Sequence, residues 1–176
     1  IYHGTAVADL DKDNKPELII GDYSGKLFVL NGENGSEYWT YTYAPGYYIG
    51  APASVADLDA DGNCEVVFFS WNKMIALGYD GTPLWDYSIP GYATAFRGAA
   101  LADVDNDNQA DVVFATSNGL VIALKGTNGT PLWSINLVAH YGDTLDFDHA
   151  PVIADFDADD TLDLFVVGGQ AFYPDF

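Results

Sequence analysis

Asp57-Leu-Asp-Ala-Asp-Gly-Asn-Cys-Glu65, running into Val66-Val-Phe-Phe69, decides the reading of this chain. Acidic residues at relative positions 1, 3, 5 and 9 build a tight polar turn, and the apolar, β-rich run after it is a strand. The pattern recurs at Asp9–Glu17, Asp103–Asp111 and Asp155–Asp163, each time followed by a similar run: Leu18-Ile-Ile20, Val112-Val-Phe-Ala115 and Leu164-Phe-Val-Val167. The first aspartates are spaced 48, 46 and 52 residues apart, a period that marks a repeat architecture.

Each period reads as four short strands. A small-residue stretch precedes the acidic turn (Thr5–Ala8, Ala53–Ala56, Gly98–Ala102, Ala150–Ala154). A third run follows the β-rich one (Leu27–Leu30, Met74–Leu77, Leu120–Leu124), then an aromatic run (Tyr38–Tyr43, Leu84–Tyr87, Leu132–Leu137). No window sustains a 3.6-residue apolar period long enough for a helix. The expectation is all-β: β-propeller blades of four antiparallel strands, with the small inner strands crowding a narrow axis and the aromatic strands filling the widening wedge between sheets. A solenoid or sandwich could use such strands, but uniform four-strand units favour the propeller. Blades are expected at 1–46, 47–93, 94–144 and 145–176, the last incomplete, so that residues 1–176 form one segment of a larger propeller. Further blades, or another chain, would cover the open edge, since such an edge invites aggregation.

Composition narrows the partners. Twenty-six Asp and Glu against six Lys and Arg give a formal charge of −20, while 49% of residues are hydrophobic. The chain is too apolar for an acidic disordered segment and lacks the basic footprint that nucleic acid requires. No apolar run is long enough for a transmembrane helix. The single cysteine, Cys64, excludes internal disulfides and reads as a small filler rather than a nucleophile.

The acidic turns are candidate metal sites. Converging carboxylates with no lysine or arginine beside them would repel one another, and a hard divalent cation removes that cost. The expected ligands are Asp9, Asp11, Asp13, Lys15 and Glu17; Asp57, Asp59, Asp61, Asn63 and Glu65; Asp103, Asp105, Asp107, Gln109 and Asp111; and Asp155, Asp157, Asp159, Thr161 and Asp163. Position 7 varies in side chain (Lys15, Asn63, Gln109, Thr161), as expected if it serves through its backbone carbonyl. Position 6 (Asn14, Gly62, Asn108, Asp160) holds the residue types that best tolerate a left-handed backbone. Calcium, taking six to eight oxygens in a flexible loop, suits this donor set, up to four ions in all. Magnesium wants a stricter octahedron, and zinc wants His or Cys. The bland alternative is a solvated Asp-rich turn, which four copies in register disfavour.

These loops and their strands resemble the FG-GAP/VCBS repeats of integrin α-chain-like propellers, with only a trace of the Gly-Ala-Pro signature at Gly50-Ala51-Pro52. The resemblance implies calcium in the loops, an extracellular or cell-surface setting, and adhesion or protein interaction. A second resemblance overlaps it. Asn34-Gly-Ser-Glu-Tyr-Trp39, Asp80-Gly-Thr-Pro-Leu-Trp85 and Asn128-Gly-Thr-Pro-Leu-Trp133 are similar to the Gly-x-x-x-Trp element of quinoprotein-type propellers, where the tryptophan wedges between blades. Trp71 falls outside that pattern.

No catalytic set emerges. A quinone site would need basic residues, and Arg97 is the only arginine. The carboxylates outside the loops (Glu33, Glu37, Asp86, Asp143, Asp146, Asp148) suggest no pair suited to glycoside hydrolysis. His3, His140 and His149 read as structural. Tyr47, Tyr48, Tyr92, Phe96 and the irregular His140–His149 connection make an aromatic, acidic rim that either contacts a protein or glycan or packs between blades. Asn34-Gly-Ser36 and Asn128-Gly-Thr130 meet the glycosylation pattern. The expected function is a non-enzymatic, calcium-binding interaction, adhesion or structural module. The alternative is a polysaccharide lyase, a glycosidase or a glycan-binding domain on the same scaffold.

Overall fold

The computed structural model describes residues 4–43, 46–95, 97–141, 147 and 149–169. Three four-stranded antiparallel sheets follow one another in chain order. The first holds β1 (Ala6–Ala8), β2 (Glu17–Gly21), β3 (Lys26–Asn31) and β4 (Glu37–Thr42). The second holds β5 (Ser54–Ala56), β6 (Glu65–Ser70), β7 (Lys73–Leu77) and β8 (Pro83–Ser88), and the third β9 (Ala100–Ala102), β10 (Asp111–Ala115), β11 (Leu120–Leu124) and β12 (Pro131–Asn136). A pair, β13 (Val152–Ala154) and β14 (Asp163–Phe165), begins a fourth. This is an all-β, unclosed set of propeller blades. Residues 170–176, and with them the expected outer part of the last blade, lie outside the described residues.

Strand alternation explains how the blades adhere. In β6, Val66 and Phe68 face the first blade, joining a core with Leu10, Ile19, Leu27 and Val29. Their neighbours Val67 and Phe69 face the third, packing with Leu58, Met74, Val112, Phe114 and Ile122. Val113, Val121 and Phe147 form the corresponding core toward the fourth blade, with Ile153 and Leu164 half-buried against it. A strand buried on both faces needs an unbroken apolar run, which is what Val66–Phe69 and Val112–Ala115 supply.

The tryptophans clasp neighbouring blades. Trp39 Nε1 donates to the carbonyl of Tyr79 in the second blade at 2.9 Å, and Trp85 Nε1 to that of Gly126 in the third at 2.7 Å. A glycine of the next blade lies flat on each ring: a Cβ on Gly81 would fall 3.0 Å from Trp39, and one on Gly129 2.6 Å from Trp85. Both are also at positive φ, so the turn and the close approach each require glycine. Each of the three four-stranded blades carries the same bulge between its third and fourth strands, at Val29/Leu30, Ala76/Leu77 and Ala123/Leu124.

One expectation is corrected. Leu137–Tyr141 forms a single turn of α-helix after β12, where no helix was expected; Asn136 Oδ1 caps it by accepting the Ala139 N–H at 2.9 Å. One turn is too short to leave a period in the sequence, and its cap is local. A 3₁₀ turn at Pro90–Tyr92 lies in the connection from the second to the third blade.

Candidate metal centres

Each acidic loop joins the first strand of a blade to the second, and its side chains fold it in one way. The position-9 carboxylate reaches back to the position-2 N–H: Glu17 to Leu10 at 2.8 Å, Glu65 to Leu58 at 2.7 Å, Asp111 to Val104 and Asp163 to Phe156 at 3.0 Å. One oxygen of the position-1 aspartate accepts the position-6 N–H, from Asn14, Gly62, Asn108 and Asp160 at 2.8–3.1 Å. The position-5 aspartate accepts the position-7 N–H, from Lys15, Asn63, Gln109 and Thr161. The backbone of every loop is left-handed at two positions: position 6, as expected, and position 4, where Lys12, Ala60, Asn106 and Ala158 all have φ of 61–63°.

This folding gathers oxygens. Carboxylates of Asp9, Asp11 and Asp13 place one oxygen each within 4.8 Å of the others, as do those of Asp57, Asp59 and Asp61 and of Asp103, Asp105 and Asp107. In the fourth loop the gathered set is Asp155, Asp157 and Asp163. Oxygens at such separations can share one ion at calcium–oxygen distances of about 2.3–2.6 Å. Glu17, Glu65, Asp111 and Asp159 stand outside these sets and are engaged with backbone N–H groups. The Oδ1 atoms of Asp9 and Asp57 are sealed from solvent and meet no hydrogen-bond donor. In the third and fourth loops the equivalent atoms accept the N–H of Asp107 at 3.1 Å and of Asp159 at 3.2 Å. A buried, unpaired carboxylate oxygen is costly, and a cation is the partner that a wholly oxygen donor set fits.

Electrostatics follow the packing. Burial pushes the Glu65 carboxyl up to about 7, against the opposing hydrogen bond from Leu58. Burial likewise raises Glu17 and Asp111. The Asn63 N–H holds Asp61 below the usual carboxylate range, and Lys125 does the same for Asp107. Cys64 is half-buried, and burial raises its thiol.

The expectation that no lysine sits near the carboxylates is corrected. Lys125, from the end of β11, lies 3.3 Å from Asp105 and 2.7 Å from Asp107. Lys15 pairs with Asp13 at 3.3 Å and with Glu33 at 2.8 Å. In the fourth loop no lysine or arginine pairs with the acids among the described residues. The lysines were missed because Lys125 is distant in sequence, and because Lys15 had been read only for its backbone. Lys73 pairs with Asp86, so Glu33 and Asp86 are both occupied in ion pairs. His3, Phe96, Asp143, Asp146 and Asp148 lie outside the described residues, as do the side chains of Tyr92 and Tyr141.

Stacked four-stranded blades, clasped by tryptophans and carrying oxygen-rich loops at one end, define a β-propeller-repeat protein with sites able to hold metal ions. Residues 13–173 match the family described as outer membrane protein assembly factor BamB, and the chain belongs to that family. No curated protein sequence matches it. In structure it is similar to BamB from Moraxella catarrhalis (TM-score 0.65, 20% identity), aligning over 96% of this chain and 44% of that one. It is similar too to the V. cholerae biofilm matrix protein Bap1 (TM-score 0.68, 22% identity, 93% of this chain and 23% of that one). A quinohemoprotein alcohol dehydrogenase from Pseudomonas putida HK5 shares the fold as well (TM-score 0.62, 15% identity, 85% of this chain and 29% of that one). The chain thus spans less than half the length of these three proteins. The match is to a BamB-like propeller, and none of these comparisons is to an integrin-type one. No described helix is long and apolar enough to cross a membrane.

Proposed function

We propose that this chain is a calcium-stabilised, non-enzymatic interaction module, one part of a larger propeller that works outside the cytoplasm or at the cell surface. The single observation that carries the metal is the pair of sealed, unpartnered oxygens on Asp9 and Asp57, each beside two further carboxylates. Asp9, Asp11 and Asp13, their counterparts in the second and third loops, and Asp155, Asp157 and Asp163 in the fourth would hold the ion, with the backbone carbonyls of Lys15, Asn63, Gln109 and Thr161 as further donors. The ion would offset carboxylate repulsion and fix the turn between the first and second strands. The chain's own residues then present the opposite face, where the blade connections run. The description of the matched family, an assembly factor, and the name of one similar structure, a biofilm matrix protein, support a scaffold of this kind.

Thermal melting with calcium and with chelator, together with metal analysis of the native protein, tests the proposal. A site filled at a hundredfold excess over its dissociation constant adds about 2.7 kcal/mol. The expected result is a clear rise in midpoint with calcium that Asp57→Asn diminishes. An unchanged midpoint, with no metal in the native protein, would sink the metal reading; turnover of a polysaccharide substrate would sink the non-enzymatic one.

A further inference from the structure

Strand order puts the acidic loops at one end of each blade. The turns between second and third strands, with the connections from blade to blade, lie at the other. At that opposite end four aromatic side chains from three separate segments meet. Tyr23 comes from the β2–β3 turn, Tyr47 and Tyr48 from the connection to the second blade, and Trp71 from the β6–β7 turn. The Tyr48 and Trp71 ring centroids are 5.5 Å apart and nearly perpendicular; Tyr47 and Trp71 are 5.8 Å apart, and Tyr23 and Tyr48 5.7 Å. Tyr23 is 50% exposed, Tyr47 43% and Trp71 41%, with Tyr48 half-buried beneath them.

The platform is held firmly. The Ile49 N–H donates to the Asp22 carbonyl at 2.9 Å, the Trp71 N–H to that of Tyr48 at 3.2 Å, and the Ser70 hydroxyl to that of Tyr47 at 3.1 Å. Trp71 itself sits at φ 56°, a region where a bulky side chain is strained. The fold does not call for these rings. In the third blade the same kind of turn is Thr116-Ser117-Asn118-Gly119, which carries no ring and meets the incoming connection with polar groups: Ser117 N–H to the Thr94 carbonyl at 2.8 Å, and Asn118 Nδ2 to that of Pro90 at 3.2 Å. Exposed rings, one of them on a strained backbone, where polar side chains occupy the equivalent turn of the third blade, are placed for an external ligand.

We infer that Tyr23, Tyr47, Tyr48 and Trp71 form a binding platform for an uncharged glycan, with sugar C–H faces lying on the rings and hydroxyls meeting the phenol and indole edges. Asp22 and Lys73, beside the turns that carry the rings, have partners within the chain. The Asp22 carboxylate accepts from Ser24 and from the Lys26 N–H, and Lys73 is paired with Asp86 and lies over the Tyr43 ring. What faces outward is apolar ring and neutral hydrogen-bonding edge, which matches a pyranose, while the charge of −20 repels uronate or sulfated polymers. The inference rests on the interaction-module reading but not on the metal.

Affinity electrophoresis against a neutral panel (β-glucan, xyloglucan, galactomannan, an α-glucan, chitin oligosaccharides), with hyaluronate as the polyanion control, tests it. Retardation by at least one neutral glycan and none by hyaluronate is expected. Trp71→Gly suits the positive φ, so it should leave the melting point unchanged or higher while weakening binding about tenfold or more; Tyr47→Ala should weaken it as well. No retardation by any neutral glycan, or full binding by both variants, overturns the inference, as does binding confined to the polyanion or to a protein partner. Running the panel with calcium and with chelator, below the melting transition, separates the two proposals: ring-dependent binding that ignores the chelator keeps this one even if the metal reading fails.

Discussion

The interface between the second and third blades and that between the third and fourth start from the same sequence pattern and end differently. In the former, Trp85 reaches Gly126 and stacks on Gly129, and Phe69, Phe114 and Ile122 close a buried core. In the latter, Trp133 finds no such carbonyl among the described residues, and a cavity of about 150 Å³ lies against it, lined by Val104, Val113, Ile153 and Leu164. On the other face of the fourth blade, turned away from the third, Phe156 and Phe165, counterparts of Leu58 and Val67, are 58% and 56% exposed. Yet the acidic loop of the fourth blade has the fold of the others, with left-handed Ala158 and Asp160 and Asp163 closing on the Phe156 N–H. The lesson is one of range: a loop satisfied by its own side chains forms wherever its spacing occurs, whereas a clasp such as Trp85 to Gly126 depends on a carbonyl 41 residues away in the next blade.

The contrast breaks most sharply at the cores. Phe114→Ala, at a fully buried position, should cost about 3–5 kcal/mol, while Leu164→Ala, beside the existing cavity, should cost less than about 1.5 kcal/mol. Urea unfolding of both variants in calcium checks this. Equal losses would mean that the two interfaces are packed alike.

Next in size is an effect of pH. Glu65 is buried, whereas Asp163 is half-exposed. Burial raises the Glu65 carboxyl in the folded chain to about 7 from an ordinary value of 4.5. A pKa raised on folding means that stability is full below the unfolded value and is lost as pH climbs through the folded one. In chelator, the wild type should therefore lose stability between about pH 4.5 and 7, by at most about 3 kcal/mol. Glu65→Gln should flatten that slope while keeping an acceptor for Leu58. Carboxylates held low, such as Asp61 and Asp107, act in the opposite sense, losing their contribution only as pH falls below about 4. Midpoints measured across pH 4.5–8 for both proteins decide it; parallel curves would remove Glu65 as the source.

The clasp gives a smaller, cleaner test. Trp85→Phe loses one indole hydrogen bond and should cost about 1 kcal/mol beyond the volume change, whereas Trp133→Phe should cost only the volume change. Gly129→Ala adds a methyl against the Trp85 ring and strains a left-handed turn, for a loss of about 1–3 kcal/mol. Denaturation midpoints of the three variants rank the contributions, and a Trp133→Phe loss equal to that of Trp85→Phe would show an acceptor at the third tryptophan.

What could be read in the chain beforehand divides along the same line of range. The repeat, the four-strand unit and the left-handed position 6 were legible because each is written within nine to fifty consecutive residues. The gathering of the position-1, -3 and -5 carboxylates in the first three loops was legible for the same reason, but the placement of Glu17, Glu65 and Asp111 outside those sets was not, since it depends on how each hydrogen-bonds the loop backbone. Lys125 beside Asp105 was hidden by a separation of 20 residues. The ring platform was half visible: Tyr47 and Tyr48 were placed on the rim, whereas Tyr23 and Trp71 come from turns of different blades that only packing brings together.

Position 4 of the loops carries the smallest expected effect. Lys12, Ala60 and Ala158 occupy a left-handed conformation that none of them favours. Such a residue costs about 1–2 kcal/mol relative to the right-handed region, and glycine escapes that cost. Glycine also loses more freedom on folding, worth about 0.4–1 kcal/mol in the other direction. The balance for Ala60→Gly is a gain of about 0.5 kcal/mol, and the same gain is expected for Ala158→Gly, because the strain is local and indifferent to how well the blade packs. Urea unfolding at fixed calcium measures both. A gain at Ala60 with a loss at Ala158 would mean that the fourth loop is held in its bend by the blade around it and not by its own side chains, reversing the inference from range.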